Sequence, residues 1–403
     1  MDIKKTFDNI IDLFKGKEES VLGIDLGSSS LKVVQAKKKN GKAVLETYGE
    51  VAIGPYAGME IGRAVRLSPD KMAEALRDVM REANVTTLES GVAIPLSSSI
   101  VNVIKVPKVS RENFGQIVAM EARRYIPVPI SEVNLDWQVV SGDDELNSSS
   151  TVNEVKDDTG DDKIQDESDK NKIGEETHTD KTIQINSNKT EDVLVVAVHK
   201  DLISGMRTVL DDTEISVRFM ELESFSVARS ILEDLDSVTL VLDHGASSTK
   251  IYVFDKGVLK ISHNIGIGSQ DITLSIARST GMPVAEAERV KRADGFSFKK
   301  NGMDVSQIFY SGLSYIFSEV SKTIKDYQTK HGKIVKEIVL TGGGVNLKGF
   351  EDALKRSVDM PIKFAHSFRR LDYPAFMDKV IKEAGPSFSV AIGAVLRALE
   401  ERD

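Results

Sequence analysis

Gly23-Ile24-Asp25-Leu26-Gly27-Ser28-Ser29-Ser30-Leu31-Lys32 decides the fold, because most of it is written a second time as Asp243-His244-Gly245-Ala246-Ser247-Ser248-Thr249-Lys250. Asp, Gly, two Ser and Lys recur in the same register. Each copy follows one apolar run and precedes another (Val33-Val34, and Ile251-Tyr252-Val253-Phe254), which predicts a β-hairpin with the Gly-Ser segment as its tight turn. A second landmark is also duplicated: Ser224-Phe225-Ser226-Val227-Ala228 returns as Ser387-Phe388-Ser389-Val390-Ala391, each opening a helix with a small-residue, apolar face. The paired landmarks lie 199 residues apart in the first copy and 144 in the second, and a 50-residue polar stretch in the first accounts for nearly all of the difference. Two matched landmarks in one order imply two half-molecules of similar length.

That polar stretch, residues 141–190, holds 14 Asp or Glu against 6 Lys, so it carries most of the net charge of −9. It has no aromatic residue and no sustained apolar period, so it cannot bury enough surface to offset its ordering entropy, and it is expected to be a disordered acidic loop. Asp136-Trp137-Gln138-Val139-Val140 before it and Asp192-Val193-Leu194-Val195-Val196-Ala197-Val198 after it read as strands of one folded body, making it an insertion rather than a linker. The whole 403-residue chain is 40% hydrophobic and long enough for one large or two medium cores. Cysteine is absent, which excludes disulfides and thiolate chemistry, and no histidine pair has metal-ligand spacing. No apolar run reaches the ~18 residues of a membrane span, and Asp8 and Asp12 interrupt the start as a signal peptide, so a cytoplasmic location is expected.

Two hairpin turns facing each other across a pseudo-twofold can clamp a polyphosphate. Glycine lets the backbone amides approach phosphate oxygens, hydroxyls add donors, and consecutive amides form an anion-binding concavity. Gly27, Ser28, Ser29, Ser30 and Lys32 are the candidates in the first turn, and Gly245, Ala246, Ser248 and Thr249 in the second. An Asp at the head of each turn would repel phosphate alone, so Asp25 and Asp243 imply a divalent cation, Mg²⁺ held through water; the bland alternative is that each only begins an Asx-turn. A third cluster, Thr341-Gly342-Gly343-Gly344-Val345-Asn346, follows the apolar run Ile338-Val339-Leu340 and is expected to lead into a helix over Leu347 to Lys355, the strand–glycine–helix order of a nucleotide cradle. Neither a Walker A sequence nor a Rossmann G-x-G-x-x-G occurs.

The order of these motifs resembles the phosphate, phosphate and adenosine motifs of the actin, sugar-kinase and heat-shock chaperone superfamily. The two Ser-Phe-Ser-Val-Ala helices resemble its crossing interdomain helices. Within it, residues 23–34 and Glu121-Ala122-Arg123-Arg124-Tyr125-Ile126-Pro127-Val128-Pro129, followed by Glu132-Val133 and Asp136-Trp137, are similar to the PilM family of type IV pilus assembly proteins, over residues 20 to 400 apart from the insertion. The resemblance implies ATP and Mg²⁺ as ligands, and at most a slow ATPase, with no catalytic residue assigned. It implies that Glu288 and Lys291 of Ala287-Glu288-Arg289-Val290-Lys291 contact ribose and base, against the plainer reading of a solvated helix face, and that Gly342, Gly343, Gly344 and Asn346 serve the adenosine. Where relatives carry a Gly-Gly pair after the second hairpin, this chain has Gly266-Ile267-Gly268-Ser269.

The expected architecture is therefore α/β: duplicated actin-like, ribonuclease H-like halves around a nucleotide cleft, residues 21–235 and 236–403. A small αβ subdomain, about 88–198, is inserted in the first half, and a nucleotide-contacting subdomain, about 270–330, in the second. The small subdomain reads as strand Val92 to Pro95, strand Ile100 to Val106, helix Ser110 to Tyr125 with Ser110 as N-cap, and two more strands. By resemblance, a groove beside it receives the cytoplasmic N-terminal tail of the inner-membrane protein PilN. Other pilus platform or motor proteins are implied as further partners, nucleic acid is not, and the location implied is peripheral at the cytoplasmic face of the inner membrane. Residues 1–20 carry Phe7, Ile10, Ile11 and Phe14 at helical spacing, an amphipathic stripe that docks on the chain's own body or touches a membrane or partner. The rival readings are a sugar-kinase-like phosphotransferase and a filament former like the division protein FtsA.

Overall fold

The computed structural model describes residues 19–108, 111–140, 190–300, 303–304 and 306–401. The expected amphipathic N-terminal stripe and the 141–190 loop, apart from their last residues, lie outside them, as does Ser110. The chain forms two compact units, one of residues 1–99 with 201–403 and a smaller one of residues 100–200.

The larger unit contains the duplication. In its first half, β1 (Ser20–Leu26), β2 (Ser30–Lys39) and β3 (Lys42–Ala52) form an antiparallel meander, and β4 (Glu89–Ile94) and β8 (Ser216–Leu222) extend it in parallel, in the order β3-β2-β1-β4-β8. The second half repeats this with β9 (Val238–His244), β10 (Thr249–Asp255), β11 (Val258–Ile265), β14 (Val335–Thr341) and β15 (Ile362–Phe364), in the order β11-β10-β9-β14-β15. The central strand β9 is buried at all seven positions because both its faces are covered, which is why Val238-Thr239-Leu240-Val241-Leu242 reads as a near-continuous apolar run instead of alternating. The two sheets have one topology.

Helices cover these sheets: α1 (Pro69–Glu82), α3 (Lys200–Asp212) and α4 (Glu223–Ile231) in the first half, and α5 (Ser269–Thr280), α6 (Val284–Asp294), α7 (Ser306–His331), α8 (Phe350–Lys355), α9 (Asp378–Ala384) and α10 (Ser389–Glu400) in the second. A two-stranded ribbon, β12 (Lys299–Lys300) with β13 (Met303–Asp304), precedes α7. The 26-residue α7 buries Phe309, Leu313, Ile316, Phe317, Val320, Ile324 and Tyr327, one helical stripe, against the second sheet. Residues of α5 and α6 join the same core, so the 270–330 stretch packs as part of the second half.

The smaller unit places α2 (Arg111–Ala122) on a three-stranded sheet, β5 (Ser99–Pro107), β7 (Thr190–His199) and β6 (Val133–Val139) in the order β5-β7-β6. β6 and β7 are antiparallel, Val139 opposite Val193, and the Val140 N–H donates to the Asp192 carbonyl at 2.7 Å, so the two ends of the 141–189 stretch meet. The unit begins near residue 100, later than the expected 88: the strand around Val92 is β4, held between β1 and β8 in the main sheet by parallel ladders that a short apolar run cannot announce.

The two Ser-Phe-Ser-Val-Ala segments lie on α4 and on the 3₁₀ turn Gly385–Phe388 leading into α10. These helices cross at Gly393, where a Cβ would stand 1.8 Å from the Ser226 carbonyl oxygen. Both partners there are backbone, so nothing cheap can move aside. Gly393→Val is predicted to destabilise the protein by about 3 kcal/mol or more, an overpacking penalty that lowers the denaturant midpoint with little change in its slope.

Candidate functional site

The register of the two hairpins places their charged residues identically. Asp25 pairs with Lys32 across β1 and β2, and Asp243 with Lys250 across β9 and β10. The turns need glycine for space: a Cβ on Gly27 would lie 2.5 Å from the Ser30 carbonyl oxygen, and one on Gly245 3.0 Å from that of Ser248. Across the gap the Ser247 hydroxyl donates to Ser28 Oγ at 2.8 Å, so the turns of the two halves touch. Asp25, Gly27, Ser28, Ser29, Ser30, Lys32, Asp243, Gly245, Gly342 and Gly343, distant in sequence, line one cavity.

The same cavity is lined by residues that motif reading passed over: Glu223, Lys250, Thr341, Pro386, Ser387 and Ser389. Lys250 could have been found from the repeat, since it is the second copy of Lys32. Glu223 and Pro386 each precede a Ser-Phe-Ser-Val-Ala segment, so they too are equivalent positions, differently filled. Lys250 Nζ lies 3.1 Å from Glu223 Oε2 and 3.4 Å from Asp243 Oδ2. The other Glu223 oxygen accepts the Leu96 N–H at 2.6 Å. Burial opposes the charge of Lys250, but Asp243 and Glu223 outweigh it and hold the ammonium above its ordinary pKa. Burial pushes the Glu223 and Asp25 carboxyls up, with Lys250, and for Asp25 also Lys32, only partly offsetting it. Lys32 itself donates to Ser30 Oγ at 2.7 Å and lies 3.4 Å from Glu50.

The third glycine cluster approaches by its backbone. Gly342 has φ +84°, and a Cβ there would stand 2.4 Å from Asp243 Oδ1; its N–H donates to the Pro386 carbonyl at 2.8 Å. Gly344 packs on the His244 ring, a Cβ standing 2.3 Å from a ring carbon. The expected helix from Leu347 is corrected: residues Gly343–Asn346 form a 3₁₀ turn and α8 begins only at Phe350, because Gly349 takes φ +89° as its N-cap. Asn346 is exposed on that turn and donates to the Glu383 carbonyl at 3.3 Å.

Ala246 and Thr249 fasten the second turn to the segment that follows β11, and Ser248 closes the turn on itself. The Ala246 carbonyl accepts the Gln270 N–H at 3.0 Å, the Ser248 carbonyl accepts the Gly245 N–H at 3.0 Å, and Thr249 Oγ1 donates to the Ile267 carbonyl at 2.7 Å. Gly268 fits there because a Cβ would stand 2.3 Å from the Ala246 carbonyl oxygen. Glu288 and Lys291 are buried on α6 and paired with each other at 2.8 Å; Glu288 also accepts from Thr273 at 2.6 Å and Arg292 at 2.6 Å. They do not line the cavity between the turns, although Gly62 of the first half, at φ +90°, comes against the Glu288 carboxyl.

Turn amides, hydroxyls and two lysines are donors suited to phosphate oxygens. Among the described residues no three His, Asp or Glu side chains form a metal site, so a cation here would rest on Asp25 and Asp243 with water completing its shell.

A model of the family described as "Type IV pilus assembly protein PilM" matches residues 23–173 and 175–399. The chain belongs to this family. Its fold is that of PilM: a solved "PilM-PilN type IV pilus biogenesis complex" superposes with a TM-score of 0.73 at 22% identity, covering 95% of this chain and 99% of that one. The duplicated sheets are the actin-like architecture that the repeat implies. FtsA of Agrobacterium fabrum (strain C58 / ATCC 33970) is 25% identical over 232 residues, and that of Rhizobium meliloti (strain 1021) 24% over 235, each covering 51% of both chains. The PilM-family chain thus spans about half the length of the curated relatives it matches.

Asp25 gives the cleft a pH signature. Its folded pKa lies above the usual 3.8, so the folded protein binds that proton more tightly than the unfolded chain, and the group's contribution to stability falls as pH rises from 3.8 through the raised value. Asp25→Asn removes this cost. The ligand-free variant is predicted to be more stable than the parent at pH 7 by about 1 kcal/mol, with the gain shrinking towards pH 4, as read by urea unfolding at both pH values.

Proposed function

We propose that this chain is an ATP-binding scaffold in the assembly platform of a type IV pilus or a related type II secretion machine, working at the cytoplasmic face of the inner membrane and holding the cytoplasmic N-terminal tail of a PilN protein. The observation that carries the nucleotide reading is the pair of equivalent Asp-Gly-Ser hairpin turns that meet at Ser28 and Ser247 in one cavity. The family match over residues 23–399 carries the pilus reading. PilN as partner rests on the name of the solved complex whose fold this chain shares.

In this reading the amides and hydroxyls of both turns, with Lys32 and Lys250, bind the phosphates. Asp25 and Asp243 are the carboxylates that would hold a Mg²⁺ ion through water, and such an ion would neutralise phosphate charge. The bare backbone of Gly342 to Gly344 admits the base, and Glu288 and Lys291 reach the ribose by exchanging some of their present partners. Nucleotide would act mainly as a ligand that draws the two halves together, with hydrolysis slow.

Ser28→Asp puts a negative charge where the two turns meet. It is predicted to weaken Mg-ATP binding at least about ten-fold by calorimetry, and to remove the thermal stabilisation that ATP confers by mass action. Undiminished affinity would overturn the site. For the partner, a synthetic peptide of the cytoplasmic N-terminus of the cognate PilN is predicted to bind one to one with a Kd near a micromolar, about −8 kcal/mol. Calorimetry reads the affinity, and emission reads the smaller unit through Trp137, the chain's one tryptophan, which packs edge-on against Phe114 at 5.0 Å. No heat up to about millimolar peptide, or ATP-dependent pelleting in its place, would favour a filament-forming role over the PilN scaffold.

A further inference from the structure

Lys32 and Lys250 are equivalent in the repeat but are not used alike. Lys32 turns to the Ser30 hydroxyl at 2.7 Å and to the half-exposed Glu50 at 3.4 Å. The serine equivalent to Ser30 is Ser248, but Lys250 turns to the carboxylates instead, and Asn264 of β11 stands opposite it where Glu50 stands opposite Lys32. Its ammonium, on a side chain only 13% exposed, lies inside the cavity against Asp243 at 3.4 Å and Glu223 at 3.1 Å. Glu223 is itself anchored by the Leu96 N–H at 2.6 Å, so the lysine is held by a fixed carboxylate.

This position is the one a divalent cation would compete for. Asp243 offers its oxygens to the lysine already, and a hydrated metal ion beside Asp243 would bring two like charges together in a partly dry cleft, where they are poorly screened. Pro386 stands at the position equivalent to Glu223, so Lys32 of the first turn, although it lines the same cavity, has no such carboxylate within it, and only Lys250 is held there between two.

We propose that the Lys250 ammonium is a built-in counter-cation that takes the divalent-cation position beside Asp243 and Glu223, so that a nucleoside di- or triphosphate binds in this cleft with little requirement for Mg²⁺. The second clause rests on the phosphate-binding reading above. Lys250 then does with a fixed single charge what a metal ion does elsewhere: it neutralises Asp243 on one side and meets phosphate oxygens on the other. Asp25, served less directly by Lys250, keeps a weaker water-mediated claim on Mg²⁺.

The test compares the full-length protein with Lys250→Met. Without nucleotide, Mn²⁺ binding is followed by electron paramagnetic resonance; the variant, with Asp243 and Glu223 left without their lysine, is expected to bind Mn²⁺ at least about ten-fold more tightly than the parent. ATP binding is then measured by calorimetry in EDTA and in Mg²⁺. The parent is expected to differ by less than about three-fold between the two, and the variant to need Mg²⁺ by at least about thirty-fold. Because removing one charge of a buried group can impair folding, Lys250→Met with Glu223→Gln, which removes the ammonium together with one of its carboxylates, is run in parallel and is expected to shift both readouts in the same direction. Equal Mn²⁺ affinity in parent and variants overturns the proposal, and so does a parent that loses ATP in EDTA. Should ATP bind under no condition while Mn²⁺ still binds more tightly to the variants, the counter-cation role stands and the nucleotide reading of the cleft fails.

Discussion

The architecture depends on how closely α4 and α10 pass each other. At Gly393 the two backbones come so near that no side chain fits between them, and one strand away Gly23 of β1 lets α10 in by the same means, a Cβ there standing 2.0 Å from the Ala391 carbonyl oxygen. The crossing is also clamped by charge. Arg229 of α4 and Arg397 of α10 both reach the buried carboxyl of Glu221, at 2.5 Å and 2.9 Å, and Arg229 donates as well to the Gly393 carbonyl at 3.1 Å. A carboxylate with two guanidinium partners is fully compensated, whereas losing either partner would leave charge without satisfaction in a dry place. Both helices reach the cavity between the two turns, α4 with Glu223 and Val227 and α10 with Ser389 and Val390, so the crossing lies against the site.

The cleft shows what such a site asks of stability. Asp25, Asp243 and Glu223 are gathered with Lys32 and Lys250 in a space from which water is largely excluded, and burial works against the charge of Asp25 and Glu223. Neighbouring lysines offset part of that cost. The ligand-free protein therefore carries electrostatic stress at the point where the two halves meet, which added positive charge beside Asp25 and Glu223 would relieve.

The halves share a sheet topology and a hairpin register but have diverged in their charges. Glu50 on β3 attends Lys32 from the edge of the cleft, and Glu223 attends Lys250 from within it. Outside the cleft, Glu288 is bound to Thr273, Lys291 and Arg292, and Gly62 of the other half lies against it, so the second half also meets the first through this network. Duplication supplies a symmetric frame, and the asymmetry lies in which side chains fill equivalent positions.

Read alone, the sequence determined the duplication, the two hairpins, the paired helices and most of the cleft, because each is local: a turn written as Asp-x-Gly followed by serines and Lys, an apolar run, a small-residue helix face. The residues 136–140 and 192–198 were legible as strands of one body for the same reason. Tertiary structure decided the rest. β4 reads like any short apolar strand, and only its parallel ladders with β1 and β8 assign it to the main sheet and not to the smaller unit. The start of α8 depended on Gly349 taking a positive φ, which a run of three preceding glycines obscures. Glu223 carries no motif of its own and Lys250 only that of the repeat, and the two meet because β10 and α4 are brought together by a contact between residues 27 apart in the chain. A pattern of residues can state which segments form strands, turns and helices, but which charge faces which is set by packing across the cleft, and that is a property of the whole fold.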